Sequence, residues 1–526
     1  MQTVIRQIVA KFPFRYLLLF ILILPAIILR DFTPNNELKY LSIVDEALQN
    51  GHFFTFYNQG EPYSDKPPLY FWLFMFSRWI TGEYSMFYLS LFSVIPAFIS
   101  IHIMNKWVKK ETSLSARWSA TLMLFTSAFF IGSGLVLRMD MLMCMFILLA
   151  LHAFYKQYSS GKRRPIDRFL LPFYIFMAIF SKGPIGLIIP FLSIIIFLVV
   201  KKELRHFSRY FGLVEWCVLL GLCATWFLCI YLEGGNSYLQ ALLFHQTINR
   251  AIDSFDHKQG FWYYGVSYWY STAPWSILYI TTFIIAIKKR LVSTDKEKFF
   301  LSIIVPTFIA LSLFSAKLDI YMLPLFPFFT YLTILLLPKI HSKWIALALY
   351  IPTIILTIAS IGAFFIKQQP EMIASPYIFI ALILLLLACG GAYYQLYHKQ
   401  LLHAINCIAL GILVAVFAGS FALPQINPYI GFTTMTQKAQ IIAKDHQIDH
   451  YYYYKFRSGE NMDVYLHQDA LKITDEDTLF STYQKGNCLI FIKEKNVTRS
   501  PRLAEWLQQI PHEKTGNFYL VYTRKE

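Results

Sequence analysis

The amino-acid sequence predicts an α-helical polytopic membrane protein of about 13 transmembrane helices, followed by a small α/β domain at its carboxyl end. Three observations predict it. Of the 526 residues, 56% are hydrophobic and 15% are charged, against roughly 45–50% and 25% in a soluble domain. Apolar runs of about 20 residues, the length that spans a bilayer, recur along the chain. After residue 423 the composition turns polar, and short β-rich runs replace the long apolar ones.

The apolar runs lie near 14–30, 84–105, 115–136, 139–158, 169–182, 183–200, 211–232, 266–287, 299–316, 319–338, 343–366, 375–396 and 402–423. The first follows Arg6, Lys11 and Arg15 without a small-residue cleavage site, so it reads as a retained anchor. The fifth and sixth are split at Ser181-Lys182-Gly183-Pro184, because proline ends helices and glycine permits a tight turn. Six of the seven cysteines fall inside these runs and Cys488 stands alone, so no disulfide framework is implied.

The net charge of +16 would suggest nucleic acid in a soluble protein. Here the basic residues occupy short loops between apolar runs, which points to topology instead. One alternate set of loops carries Lys106, Lys109 and Lys110, then 162–164, 201–202, 288–290, Lys339 to Lys343, and Lys399. The other carries isolated cations: Arg30, Lys39, Lys66, Arg138, Lys182, Arg250, Lys258 and Lys317. The first set is cytoplasmic by the positive-inside rule, so the amino terminus is inside and the carboxyl terminus outside. Residues 1–423 then form the membrane domain, with outer loops at 31–83 and 233–265, and residues 424–526 form an outer α/β domain. Its strands are expected at 451–454, 488–492 and 518–522. A helix opens at Ser500-Pro501, with Ser as N-cap and Pro in the first turn.

Charge at a membrane interface is costly unless paired or used. On the outer side the sequence gathers Asp31, Asn36, Glu37, Lys39, Tyr40, Asp65, Lys66, Arg138, Asp140, Lys182, His245, Arg250, His257, Lys317 and Tyr321. Each has a plainer reading. Lys66-Pro67-Pro68 also fits a helix start, Asp140 a local ion pair with Arg138, Asp45-Glu46 a solvated helix face, and 261–264 an interfacial aromatic belt. The convergence of the whole set on one face is what points to a site.

In order along the chain, Asn36-Glu37-Leu38-Lys39-Tyr40, Asp65-Lys66-Pro67, Leu137 to Asp140, Ser181-Lys182-Gly183, His257 to Tyr264 and Ala316-Lys317 to Tyr321 resemble the motifs of bacterial polyprenyl-phosphate sugar transferases of the GT-C class. That class includes the lipid A aminoarabinose transferases and is kin to the protein mannosyltransferases. The chain departs from the pattern at Asn36, where the family has an acid, at Lys39, where it has arginine, and at Asp65, where it has glutamate. The resemblance implies a glycosyltransferase that moves a sugar from an undecaprenyl monophosphate donor to a lipid acceptor, lipid A or lipopolysaccharide core, at the periplasmic face of the inner membrane. It implies that Lys66 binds phosphate and that a divalent metal, zinc or magnesium, sits on Asp65 and His257. Departure of a phosphate needs fixed cations, for which Lys182, Arg250 and Lys317 are further candidates. Lys39, Tyr40 and Tyr321 join them as members of the matching motifs. A neutral hydroxyl acceptor would need Glu37 or Asp140 as base, whereas a phosphate acceptor, already mostly dianionic, would not. A transporter or flippase, or a polysaccharide ligase using diphosphate-linked glycans, is the alternative; the chain shows no internal repeat of the transporter kind.

Overall fold

The structure is a computed structural model that describes residues 12–243, 258–365 and 375–523. A helix or a bent helix pair occupies each of the thirteen apolar runs. Among the described residues seven helices are long and apolar enough to cross a membrane, and nine if each bent pair is one span. The bundle opens with α1 (Phe12–Ile28). After the first outer loop come α4 (Met86–Trp107), the pair α5 (Leu114–Phe125) and α6 (Ala128–Leu135), then α7 (Met139–Ser160), α8 (Pro165–Lys182), α9 (Ile185–Val200) and α10 (Leu213–Gln240). The pair α11 (Tyr263–Ser271) and α12 (Ser276–Lys288) is followed by α13 (Asp295–Leu313), α14 (Phe326–Leu336), α15 (Lys343–Ala363), α16 (Pro376–Tyr397) and α17 (Leu401–Ser420).

Two runs that read as single spans are broken. The chain bends by 68° between α5 and α6 and by 116° between α11 and α12. At the second break Pro274 brings no N–H and disfavours helical backbone in the residue before it, which weakens a continuous helix there. The turn at Gly183 forms where the sequence places it. Its φ of 104° lies in the region that glycine alone enters cheaply, and its N–H closes on the Ile179 carbonyl at 2.6 Å.

The loop between α1 and α4 is structured throughout. A π-turn (Pro34–Leu38) runs into α2 (Lys39–Asn50), then a short hairpin of β1 (Tyr57–Asn58) and β2 (Glu61–Pro62), then α3 (Leu69–Thr81). The start of α3 just after Lys66-Pro67-Pro68 follows from the proline pair, which suits a first helical turn. Glu233 of α10 accepts the N–H groups of Phe53, Phe54 and Thr55 at 3.1, 3.0 and 2.7 Å, fastening this loop to the bundle.

The carboxyl-terminal segment forms a five-stranded sheet in the order β4-β3-β5-β7-β6, with β3 (His450–Tyr454), β4 (Ala470–Ile473), β5 (Cys488–Lys493), β6 (His512–Thr515) and β7 (Phe518–Tyr522). β3 pairs in parallel with both β4 and β5, and the β6–β7 hairpin closes the other side. Ser500 caps its helix as the sequence predicts, accepting the Leu503 N–H at 3.2 Å. One face of the sheet packs on its own helices through Leu479, Leu503 and Leu507. The other face, with Leu489, Phe491 and Leu520, shares a core with Leu41, Phe71 and Phe74 of the first loop. The sheet is thus built onto the membrane bundle by way of α2 and α3.

The two loop sets sorted by charge also separate in space. The basic loops cross-link one another through Lys201–Asp295, Lys296–Glu111 and Lys339–Glu297 at 2.7, 2.7 and 2.6 Å. The sparse set meets elsewhere, through Arg30, Glu37 and Leu137, and through Lys182 and Asp140.

Candidate active site

A cavity of about 410 Å³ opens among the ends of α8, α9, α10 and α13 and the first loop. Its polar end carries Ser64, Asp65, Lys66, Lys182 and Tyr321, and its remaining wall is apolar, with Ile188, Trp226, Phe227, Leu242, Leu311 and Phe314 among the lining residues. The chain reaches this geometry because α8 must stop at Gly183-Pro184, which leaves Lys182 on the last helical turn facing the opening. Lys66 arrives from the stretch that precedes α3.

The charges at the polar end are organised in two groups. Lys66 Nζ donates to Asp65 at 2.8 Å, and the Tyr63 hydroxyl reaches the same carboxylate at 3.4 Å. Lys182 pairs with the buried Asp140 carboxylate, which also accepts Arg138 Nε at 3.1 Å. Lys182 lies over the Tyr321 ring, 4.9 Å from its centroid. Buried charge of this kind is tolerable only when each partner is met. The cavity therefore presents an apolar slot whose single polar end holds two lysines with fixed counter-ions.

The other sequence-predicted residues fall around it. Lys39 stands over the Tyr63 ring at 4.5 Å, just beyond the mouth, and burial lowers its pKa while Asp65 and Glu460 raise it. Tyr40 packs edge-on against Tyr70 and Phe71, and burial pushes its hydroxyl up to about 12. Lys317 is 3% exposed and spends its ammonium on the Gln259 and Phe314 carbonyls, pinning together backbone beside the cavity wall to which Phe314 belongs. Glu37 is fully buried, and both its oxygens are engaged. Arg30 grips it with two bonds of 2.6 Å, and the N–H groups of Thr33 and Leu137 add one each at 2.7 Å. Arg250 and His257 lie outside the described residues. Among the described residues no group of three His, Cys, Asp or Glu is placed to hold a metal. Asp65 carries the Lys66 ammonium, so the described donor set of a metal site is one carboxylate already in an ion pair.

Sequence reasoning missed Arg30 as the partner of Glu37. It also missed Tyr63 as the platform for Lys39, and Trp226 and Phe227 as cavity wall. The acid spacing in the first loop could have suggested the Arg30 pair. Nothing local marks Trp226 and Phe227, which look like ordinary span residues.

No family model matches the chain. Over 299 residues it is 27% identical to an undecaprenyl phosphate-alpha-4-amino-4-deoxy-L-arabinose arabinosyl transferase of Pectobacterium atrosepticum, covering 55% of this chain and 52% of that protein. A protein of the same name from Wigglesworthia glossinidia brevipalpis is 28% identical over 311 residues, 56% and 53% of the two chains. The chain thus spans about half the length of the curated relatives it matches. In structure it superposes on ArnT of Cupriavidus metallidurans bound to undecaprenyl phosphate, with a TM-score of 0.76, 14% identity and 96% of both chains covered. The apo form of that protein gives 0.73 with the same coverage. The chain has the ArnT fold. The GT-C resemblance holds, and the superposition leaves out only 4% of the chain.

Proposed function

We propose that the chain is a glycosyltransferase of the inner membrane that moves a sugar from an undecaprenyl monophosphate donor to a lipid acceptor, lipid A or lipopolysaccharide core, on the periplasmic side. The observation that carries the reading is the cavity, an apolar slot ending on Lys66 and Lys182. A phosphate joined to a long hydrocarbon is the ligand such a surface suits. The names of the relatives and the ArnT fold support the same donor class.

In this reading Lys66 and Lys182 hold the phosphate, and Tyr321 positions Lys182. An acceptor oxygen attacks the anomeric carbon, the bond from that carbon to the phosphate oxygen breaks, and polyprenyl phosphate leaves with the electron pair. Where the acceptor is a hydroxyl, Asp140 takes its proton; where it is a phosphate, no base is required. Glu37 acts as a positioning residue, because its carboxylate ties the π-turn before Lys39 to the turn before Asp140. Arg250 and Lys317 remain candidate contacts to the donor, and residues 424–526 are assigned to the acceptor side. Residues 1–423 form the catalytic membrane domain, with the amino terminus in the cytoplasm.

Labelled undecaprenyl monophosphate sugar, supplied to proteoliposomes with lipid A, tests the reading. Labelled glycolipid with release of undecaprenyl phosphate is expected. Label carried across the bilayer without covalent transfer would replace the transferase by a transporter, and turnover of diphosphate-linked glycans alone would replace it by a ligase.

A further inference from the structure

On the face of the basic loops, α8 and α10 begin side by side, at Pro165 and Leu213. Glu215, in the first turn of α10, is buried. Its carboxylate accepts the Gly212 N–H at 2.9 Å and Arg168 Nε of α8 at 3.1 Å, and it pairs with Arg163 from the turn before α8. Arg209 lies on the short helix (Phe207–Tyr210) that leads into α10. Its Nη2 donates to the Gly161 carbonyl at 2.6 Å, two residues before Arg163. Three guanidinium groups from three parts of the chain therefore gather around one carboxylate and one carbonyl.

The acceptors do not match the donors. A guanidinium carries five N–H donors, and the bonds above use one from each arginine. Arg163 Nε is shielded from solvent and has no acceptor among the described residues. Asp167, on the first turn of α8, is taken by Arg164 at 2.9 and 3.2 Å. Glu203, earlier in the α9–α10 loop, is not among the partners of the three arginines, and Lys162 and Arg205 stand exposed on the same two loops. Positive charge is thus in excess. Apolar side chains border it. Ile166 and Phe169 flank Arg168, Leu213 and Trp216 flank Glu215, and all four are exposed, Leu213 by 80%. Such a mixture suits the boundary of a bilayer, where headgroups give way to acyl chains.

We propose that Arg163, Arg168 and Arg209 form a headgroup site for an anionic glycerophospholipid, at the membrane boundary of the basic-loop face. Guanidinium groups fork onto phosphate oxygens, and basic pockets between membrane helices recognise lipid phosphates in this way. The phosphate supplies the anion that Glu215 alone does not, and the acyl chains cover Leu213 and Phe169. A soluble phosphate would leave those side chains in water, so the ligand is a lipid. The site is distinct from the donor cavity. α8 has 18 residues, about 27 Å at 1.5 Å per residue, so Lys182 stands roughly one hydrocarbon core away from Arg164. A bound lipid holds the start of α8 against α10, and the assignment does not depend on the transferase reading.

The test uses the full-length protein in detergent, read by native mass spectrometry. The probes are equimolar dioleoyl phosphatidylglycerol and dioleoyl phosphatidylcholine, which differ only in headgroup. Retention of phosphatidylglycerol in preference to phosphatidylcholine is expected. Arg168→Gln and Arg209→Gln each weaken that retention about fivefold, the share of one basic residue beside a charged lipid, and Arg168→Lys recovers part of the loss. A variant carrying Lys288→Gln and Lys289→Gln removes two exposed cations from another basic loop and is expected to retain the lipid like the wild type. Thermal midpoints in lipid-free detergent check that each variant is folded. No preference for phosphatidylglycerol, or unchanged retention in folded Arg168→Gln and Arg209→Gln, overturns the site. An equal loss in the Lys288 and Lys289 variant overturns it too, since the cations would then read surface charge alone. Displacement by inorganic phosphate at the concentration of the lipid would make the ligand a soluble anion and overturn the lipid assignment.

Discussion

Glu37→Gln separates a positioning residue from a general base. Glu37 is 0% exposed and its partner Arg30 only 10%. The substitution keeps the shape and one acceptor oxygen. It removes the negative charge and turns an amide NH2 towards a guanidinium that has no other described carboxylate. Breaking a buried pair in this way costs about 3–5 kcal/mol. Unfolding entropy of about 2.1 cal/mol/K per residue over 526 residues gives about 1.1 kcal/mol/K, so the midpoint should fall by about 3–5 °C. Differential scanning fluorimetry in detergent reads the midpoint, and initial rates across pH, normalised to folded protein, read the chemistry. The expected outcome is a lower midpoint, a rate within about tenfold of wild type, and an unchanged pH profile. An unchanged midpoint with a rate loss of about 10²–10⁴-fold and a missing acidic limb would refute the argument and make Glu37 the base.

Lys66→Gln should lower kcat/KM about 10²–10³-fold by removing one fixed donor from the leaving phosphate, and should weaken undecaprenyl phosphate binding in an equilibrium assay. Asp140→Asn should lower kcat by about 10²–10⁴-fold with a hydroxyl acceptor. It should not weaken undecaprenyl phosphate binding, because Lys182 and Arg138 lose a competing carboxylate; weaker binding would show that Asp140 serves only to hold the lysine. Asp463, which accepts the Ser42 hydroxyl at 2.6 Å where the sheet segment meets α2, has its pKa raised to about 6 by burial first and by Asp45 and Asp469 in part. A carboxyl whose folded pKa lies above its unfolded value binds more protons when folded. Stability should therefore fall as pH rises from about 4 to about 6 and level off above that. Asp463→Asn should erase that slope and be the more stable protein at pH 7.5, as thermal unfolding across pH would show.

The long apolar runs were legible because a bilayer demands length and composition that nothing else in a sequence imitates. The turn at Lys182-Gly183 was legible because glycine and proline act locally. The breaks inside 115–136 and 266–287 were not, since hydropathy carries no direction and two helices meeting at 116° score like one. At the cavity, Lys66 and Lys182 had been singled out by motif order and by the membrane sidedness expected from charge. Their distribution into two ion-paired groups was hidden, because Asp140 chooses Lys182 across 42 residues only once α7 and α8 pack. Glu37 illustrates the limit in the other direction. An acid beside a lysine in an outer loop reads as chemistry, and only the two bonds from Arg30 and the N–H of Leu137, 100 residues away, show how fully it is engaged.

The charge balance of the proposed site also accounts for why its counter-ions are arranged as they are. At the polar end Asp65 and Asp140 face Lys66, Lys182 and Arg138, so two carboxylates against three cations leave a net charge of +1. A polyprenyl phosphodiester donor carries one negative charge and neutralises that end. As the anomeric bond breaks, the departing phosphate becomes a monoester and its charge grows towards −2. In an apolar slot the added charge cannot be met by solvent. If Asp140 takes the acceptor's proton in the same step, the polar end rises to +2 while the phosphate falls to −2, and the charges match through the transition state without moving a side chain. A hydroxyl acceptor therefore gains twice from Asp140, once as base and once as electrostatic partner. A phosphate dianion that attacks becomes a diester with one negative charge, so the charge it loses offsets the charge the departing phosphate gains, and no proton need move.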